Sequence, residues 1–397
     1  MTKRASTKFG VAVHYAIKII IFKIVYPLIY RIWSVRKLRS RKVVFVEVRA
    51  PGLTDNFAAL HEQLDRMGYE IRLHCLGLST VGFFEYDRRC RAMIRDLAGA
   101  PLVFVNDGSN VLGCLPIRKG TTVVQTWHAC GAFKRFGLGT AELAFGGSRR
   151  EQRLFPTYKT NTLVTVSSPE VIWAYAQSMG LPEERILPLG ISRTDVFFDA
   201  ATVAGSGGKV RGQLRIPAGK KILLYAPTFR GDTATTAAAP EFLDLREAAN
   251  RLGDEYFILI KYHPFVKNRP EIPAECEECA AYPPPDLDIN ELLMAADVCV
   301  TDYSSIIFEY SLLGRPMVFL APDVAEYLDE RGFYYPFAEF APGPVASSTG
   351  ELCDAVGKIK EGFDRDKIEA FREKFMSSCD GHATDRILEK LGIIYPK

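Results

Sequence analysis

The chain has 397 residues, 48% of them hydrophobic, and a formal net charge of +3. That length exceeds a single core and suits two domains, and the apolar content excludes a disordered chain. Nine cysteines, odd in number and scattered, exclude a disulfide framework and fit a reducing cytoplasm.

The charge is unevenly placed. Residues 1–46 carry eleven Lys and Arg and no acid, which leaves 39 basic against 47 acidic residues in the rest. A basic arm on an acidic body points to an anionic surface. The stretch "VAVHYAIKIIIFKIVYPLIYRIW" (11–33) is apolar, but Lys18, Lys23 and Arg31 interrupt it. No uncharged run approaches the roughly 20 residues that span a bilayer. Pro27 is expected to end or kink a helix there. Arg4, Lys8 and Lys18 share one helical arc, with Lys23 at its edge and Arg31 outside it. The reading is a peripheral helix in the headgroup layer at the cytoplasmic face of the cell membrane, followed by the polybasic "VRKLRSRK". Lys18, Phe22, Lys23, Tyr26, Tyr30 and Trp33 are its expected membrane contacts, and residues 1–42 are expected to be separable from the folded body. The lysines and the lack of a cleavage site argue against a signal peptide. The Ile, Phe and Trp content argues against a nucleic-acid arm.

Strands and helices then alternate. "KVVFVEV", "EIRLHCL", "PLVFVN", "TTVVQTW", "TLVTVS" and "RILPLG" read as strands, with helices at 54–67 and 168–179. The Gly/Ser/Ala-rich "DAATVAGSGGK" (199–209) reads as a linker. The alternation restarts with "KILLYAP", "YFILIKY", "DVCVTD" and "RPMVFLAP" and helices near 241–252, 289–296, 304–313, 350–361 and 366–377. Continuous apolar strands suit parallel sheets covered on both faces. The expected architecture is α/β, with two doubly wound Rossmann-like domains at 43–205 and 206–370 facing across a cleft. C-terminal helices at 371–397 possess the length to cross back to the first domain.

In such sheets ligands bind beyond the carboxyl ends of the strands. His128 follows one strand, in "VVQTWHACGAFKRFG"; Thr228 and Arg230 follow another, in "LLYAPTFRG". His263 ends "ILIKYH", and Arg193 and Asp195 follow "ILPLG". In "VCVTDYSSIIFEYSLLGRP", Asp302 turns the chain, Ser304 or Ser305 caps a helix, and Glu309 lies a turn further on. Any one of these has an ordinary structural explanation: a strand-end His bonding a carbonyl, a Ser-Ser cap, a solvated carboxylate. Together, two histidines, arginines and hydroxyls suit a pyrophosphate better than an acyl group. No G-x-S-x-G and no Walker A loop occur. Cys130 reads as a small turn residue. "CEEC" (276–279) lacks the second pair of a zinc site. In "DLD" (286–288), Asp288 reads as a helix cap. No metal and no cofactor are expected.

At these residues the chain resembles the CDP-glycerol glycerophosphotransferases of teichoic acid synthesis, over roughly residues 100–395. The resemblance is carried by "TWHACGAFKRFG", "GISRTD", "LLYAPTFR", "KYHP", "DINELLMAADVCVTDYSSIIFEYSLLGRPMVFLAPDVAEYLDERGFYYPF" and "DGHATDRI". Family polymerases commonly read W-H-G-T-P-x-K at the first site; Ala129, Cys130 and Gly131 here look more like the primase branch. The resemblance implies a GT-B-like pair of domains, CDP-glycerol as donor and an undecaprenyl-diphosphate-linked ManNAc-GlcNAc disaccharide as acceptor. Transfer of sn-glycerol phosphate would release CMP and prime wall teichoic acid. His128 and His263 match the two family histidines linked to catalysis.

On that basis His128 is expected to act as general base on the acceptor hydroxyl, with the small residues after it leaving room for the sugar. Trp127, Lys134 and Arg135 are expected on the acceptor side, the two cations meeting its diphosphate or lipid headgroups. His263, Arg193, Ser304 and Ser305 are expected to stabilise charge on the departing CMP. Thr228 and Arg230 are expected in the donor site, and Asp302 or Glu309 on ribose or cytosine. Glycerol or ribitol polymerases of the same family, a GT-B glycosyltransferase using a nucleotide-sugar, and a non-catalytic membrane or polymer-binding protein are the alternatives.

Overall fold

The computed structural model describes residues 13, 15–141, 148–231 and 236–393, leaving out the side chains of 328–331. Two six-stranded sheets, parallel throughout, form in series. The first has the order β2-β1-β3-β4-β5-β6, from β1 (Lys42–Glu47), β2 (Glu70–Cys75), β3 (Leu102–Val105), β4 (Thr122–Gln125), β5 (Leu163–Thr165) and β6 (Ile186–Leu187). The second has the order β12-β11-β10-β7-β8-β9, from β7 (Lys221–Tyr225), β8 (Tyr256–Ile260), β9 (Ala280–Ala281), β10 (Val298–Thr301), β11 (Met317–Leu320) and β12 (Val345–Ala346). The ten apolar runs named above all become strands, and β1, β3, β8, β10 and β11 are buried along their whole length. Helices cover both faces, so these strands need no polar side. The two-residue strands β9 and β12 had no apolar run to announce them.

The segment expected to be a linker is helical instead, over Ala200–Leu214. Asp199 caps it by accepting the Ala201 N–H at 3.2 Å. Nothing lies within 4 Å of a Cβ built at Gly205, Gly207 or Gly208, so these glycines answer no packing need. Ser206 and Val210 are buried, and the helix packs on the helix Ile289–Ala295. Composition misled here because tertiary packing overrides a weak propensity.

The C-terminal helix Ala383–Lys390 returns to the first sheet, where Ile387 and Leu388 join Val43, Phe45 and Phe57 in one core. Asp195 accepts its first N–H groups, from Ala383 at 2.9 Å and Thr384 at 2.8 Å. Asp195 is thus a helix anchor.

The arm is helical from Tyr15 to Trp33, with a π turn at Ile21–Val25 ahead of the α-helix Tyr26–Trp33. Pro27 does not end it, since the wide turn absorbs the missing N–H. Lys3, Arg4 and Lys8 lie outside the described residues. The arm's aromatic side faces inward, contrary to the sequence expectation. Tyr26 and Tyr30 are each 1% exposed and pack with Val44, Met93 and Leu97. The Tyr26 hydroxyl donates to Asp87 at 3.0 Å, and the Tyr30 oxygen accepts the Arg118 N–H at 3.2 Å. Phe22 packs on Tyr26 and Phe155, and Trp33 lies against the same core. Lys18 pairs with Glu151 at 2.8 Å, and Lys23 sits 5.9 Å from the Phe155 ring. Aliphatic side chains, from Val13 to Val35, occupy the outward face. Among the described residues no helix is long and apolar enough to cross a membrane.

Candidate active site

His128 owes its position to a sharp turn at the end of β4. Trp127 has φ +58°, a left-handed conformation that a bulky side chain rarely adopts. The Gln125 side chain holds the turn by accepting the Trp127 N–H at 3.0 Å and donating to the Asp107 carbonyl at 3.2 Å. Trp127 itself is 6% exposed and lies against the His128 ring, centroids 4.2 Å apart. It is therefore a largely buried wall behind the histidine. His128 Nδ1 lies 3.3 Å from the Asn106 carbonyl and 3.9 Å from Asp107 Oδ1. Assigning the proton to Nδ1, which donates to that carbonyl, leaves Nε2 as the basic nitrogen. Desolvation by the surrounding protein lowers the imidazole pKa, although the side chain keeps 46% of its surface exposed, and Asp107 partly opposes the shift. His128 is thus neutral at pH 7 with a free lone pair.

The loop after His128 runs onto the second domain. A Cβ on Gly131 (φ +60°) would lie 2.0 Å from the Phe308 ring. Phe308 and its helix thus take the space expected for the sugar, and close domain packing explains the small residues. Phe133 stacks on Phe333 and Phe340 at 4.5 and 4.4 Å. The Arg135 N–H donates to the Gly332 carbonyl at 3.1 Å, and the Tyr334 N–H to the Phe133 carbonyl at 2.9 Å. Lys134 Nζ donates to the Tyr327 hydroxyl at 3.0 Å. Both cations expected on the acceptor side therefore lie against the second domain.

His263 follows β8, its ring 4.9 Å from Phe229 and 4.6 Å from Phe265. Its Nδ1 accepts the Phe265 N–H at 3.1 Å, so the neutral ring presents Nε2–H as a donor. Partial desolvation of a ring that still reaches solvent, together with the positive charge of Lys134, brings its pKa down to about 4. Lys134, six residues beyond His128 in the chain, is near enough to His263 for its charge to act on that ring. Ser304 and Ser305 follow β10 at the same sheet edge. Ser304 Oγ accepts the Ile306 N–H at a long 3.5 Å, and the Ser305 hydroxyl makes no capping bond.

Residues 28–392 match the family model described as CDP-Glycerol:Poly(glycerophosphate) glycerophosphotransferase. The chain belongs to this family. It is 33% identical over 369 residues to a teichoic acid poly(ribitol-phosphate) polymerase of Bacillus spizizenii, covering 93% of this chain and 58% of the polymerase. It thus spans little more than half of that relative's length. A teichoic acid ribitol-phosphate primase of the same organism is 32% identical over 355 residues, 88% of this chain and 90% of the primase. The glycerol-phosphate primase of Bacillus subtilis is 29% identical over 271 residues, 68% of each. The solved wall teichoic acid polymerase TagF superposes with a TM-score of 0.77 at 22% identity, covering 98% of this chain and 97% of that one. The sheet pair described above is therefore the GT-B-like arrangement.

Several residues expected in the family's donor site are bonded to one another. Asp302 is wholly buried and accepts from Thr228 N and Oγ1 (2.8 and 2.9 Å), Arg230 (3.0 Å) and the Tyr303 N–H (2.6 Å). No lone pair is left for ribose or cytosine. Thr228 is committed to the same bonds, and Arg230 is also gripped by Asp323 at 2.7 Å. Arg193 and Glu309 pair with each other across the domains, with side-chain exposures of 11% and 3%. Arg193 also lies 3.8 Å from Asp55, which accepts from Asn290 Nδ2 at 2.8 Å and from the Asn56 N–H at 2.9 Å. Cys130 sits beside Glu309, and burial, then that carboxylate, pushes its thiol pKa well up. It is therefore a thiol and no nucleophile.

Asp107 was missed, although it follows β3 at the same edge and the strand-end rule applied to it equally. Asp55, Phe308 and Asp323 carried no local signal. Asp288 caps its helix by accepting the Glu291 N–H at 2.9 Å, and Asp286 accepts from Gln213. The nine cysteines are free thiols. Among the described residues no three His, Cys, Asp or Glu are grouped to hold a metal ion.

Proposed function

We propose that the chain transfers an alditol phosphate from a CDP-alditol, CDP-glycerol in the first instance, to the hydroxyl of an undecaprenyl-diphosphate-linked disaccharide. The observation that carries this is the pair of neutral histidines in complementary states, His128 with a free basic Nε2 and His263 with an Nε2–H donor. His128 takes the proton of the acceptor hydroxyl as its oxygen attacks the phosphorus bearing the alditol. The bond from that phosphorus to the CMP oxygen breaks, and CMP leaves with the electron pair. His263, Lys134 and the Ser304 and Ser305 hydroxyls stabilise the growing negative charge. A cation at Lys134 supports a reaction that needs no resident metal. The arm holds the enzyme on the cytoplasmic face of the membrane, where the lipid-linked acceptor lies.

A second donor, CDP-ribitol, is favoured by one observation: the relatives matched over 88–93% of this chain are ribitol-phosphate enzymes. A priming role is supported by the 90% coverage of a primase. The test is mass spectrometry of products from a short-chain lipid acceptor with CDP-glycerol or CDP-ribitol, in buffer with EDTA. His128→Ala should lower turnover by roughly 10²–10⁴-fold while donor binding by calorimetry is unchanged. Sugar transfer from a UDP-sugar without CMP release would overturn the proposal, as would donor binding lost along with His128.

A further inference from the structure

A second basic site lies where the arm meets the first domain. Residues 33–42, β2 and the helix Phe83–Leu97 enclose a cavity of about 410 Å³. Six cations line it: Arg36, Lys37, Arg39, Lys42, Arg72 and Arg95. Its two acids are already shared, Glu70 between Arg39 (3.2 Å) and Arg72 (3.1 Å), Asp96 between Lys42 (2.6 Å) and His74 (3.0 Å). Arg36, Lys37 and Arg95 have no acidic partner among the described residues. Arg36 lies over the Trp33 ring at 4.3 Å and Arg95 at 5.7 Å, so the indole gathers two guanidinium groups at the mouth.

The outward face of the arm leads to that mouth. Ile17, Ile20, Ile24, Leu28, Ile32 and Val35 are 44, 51, 58, 52, 58 and 85% exposed, at steps of three and four residues. They form one stripe, at 1.5 Å per residue about 27 Å long. A stripe of this length on a helix that cannot span lies in the plane of an interface. The absence of any acid from residues 1–46 matches an anionic surface.

We infer that this cavity is a headgroup site for an anionic phospholipid, occupied when the aliphatic stripe lies among the acyl chains. The inference rests on the peripheral-membrane part of the reading above, and goes beyond it in naming the site. It predicts preference for a lipid phosphate at one place, where a diffuse basic arm would show only net attraction.

Vesicle sedimentation of the full chain tests it, with phosphatidylcholine vesicles alone or containing phosphatidylglycerol. Arg36→Gln/Lys37→Gln/Arg95→Gln should weaken binding to phosphatidylglycerol vesicles on the order of 100-fold and leave the weaker binding to neutral vesicles unchanged. A charge-matched control on the same arm but outside the cavity, Lys18→Gln/Lys23→Gln/Arg31→Gln, should weaken binding to phosphatidylglycerol vesicles at least roughly ten-fold less than the cavity variant. Ile24→Ser/Leu28→Ser/Ile32→Ser should lose binding to both kinds of vesicle. Equal behaviour of the cavity variant and the control overturns the headgroup site and leaves membrane attachment standing. A parent that binds no vesicle overturns both. Quenching of Trp33 by inorganic phosphate, with vesicle binding the same in the cavity variant as in the parent, would mark a free-anion site and also overturn the inference.

Discussion

Replacing Arg193 with Met separates a scaffold role from a donor-binding role. The guanidinium and the Glu309 carboxylate are 11% and 3% exposed and come from different domains. Glu309 Oε2 and Arg193 Nε already lack partners, and Glu309 has no second cation within ion-pair distance among the described residues to replace a lost Arg193. Removing one member of such a pair leaves a buried charge and costs about 3–5 kcal/mol. At about 2–4 °C per kcal/mol for a domain of this size, Tm should fall by roughly 6–20 °C. Arg193→Met/Glu309→Leu removes both charges and should return to within about 1 kcal/mol of the parent. Thermal and urea unfolding of the three variants and the parent measure this cycle. CDP-glycerol affinity of the double variant, by calorimetry, should stay near the parent value, because the pair faces inward. An unchanged Tm in the single variant would refute the buried clasp. A recovered Tm with donor binding lost would restore Arg193 to the donor site.

The pH dependence follows from His128. Its pKa is lowered, so the base is already neutral at pH 7, and kcat/KM should fall only as acidification protonates it, below the ordinary imidazole range. Asp107 raises that pKa; Asp107→Asn should move the acidic limb to still lower pH, and a pH–rate profile moving upward would contradict the contact. Gly131→Ala places a methyl group into Phe308 and should cost about 1–3 kcal/mol; Phe308→Ala in the same chain should relieve part of it, as unfolding curves will show. Deleting residues 1–42 removes Tyr26 and Tyr30, each 1% exposed, from the core. At about 1.5–3 kcal/mol per buried aromatic, the shortened protein should lose stability or aggregate on size exclusion, whereas a monomer with the parent Tm would refute the inward packing.

The parallel sheets were legible because burial on both faces leaves a local mark: unbroken runs such as "KVVFVEV" and "YFILIKY" need no knowledge of their neighbours. The strand-end positions of His128 and His263 were legible for a related reason. The end of a strand can be read locally, and parallel topology places all such ends at one edge. That the arm is helical was also readable from its apolar pattern, but its orientation was not. Tyr26 and Ile24 are both apolar, and only the helix Phe83–Leu97 and β1 decide which of them turns inward. The partners of polar groups escaped the sequence altogether. Asp302 meets Thr228 across 74 positions and Arg193 meets Glu309 across 116. A carboxylate near a strand end looks the same whether it awaits a ribose or a buried arginine. The sequence by itself determined most of the elements and the strand ends that His128 and His263 occupy, since these depend on near neighbours along the chain, whereas the helix Ala200–Leu214 and the short β9 and β12 escaped it. Only the tertiary structure decided which charges are free for substrate and which are spent holding the domains together, because that depends on side chains brought together by folding.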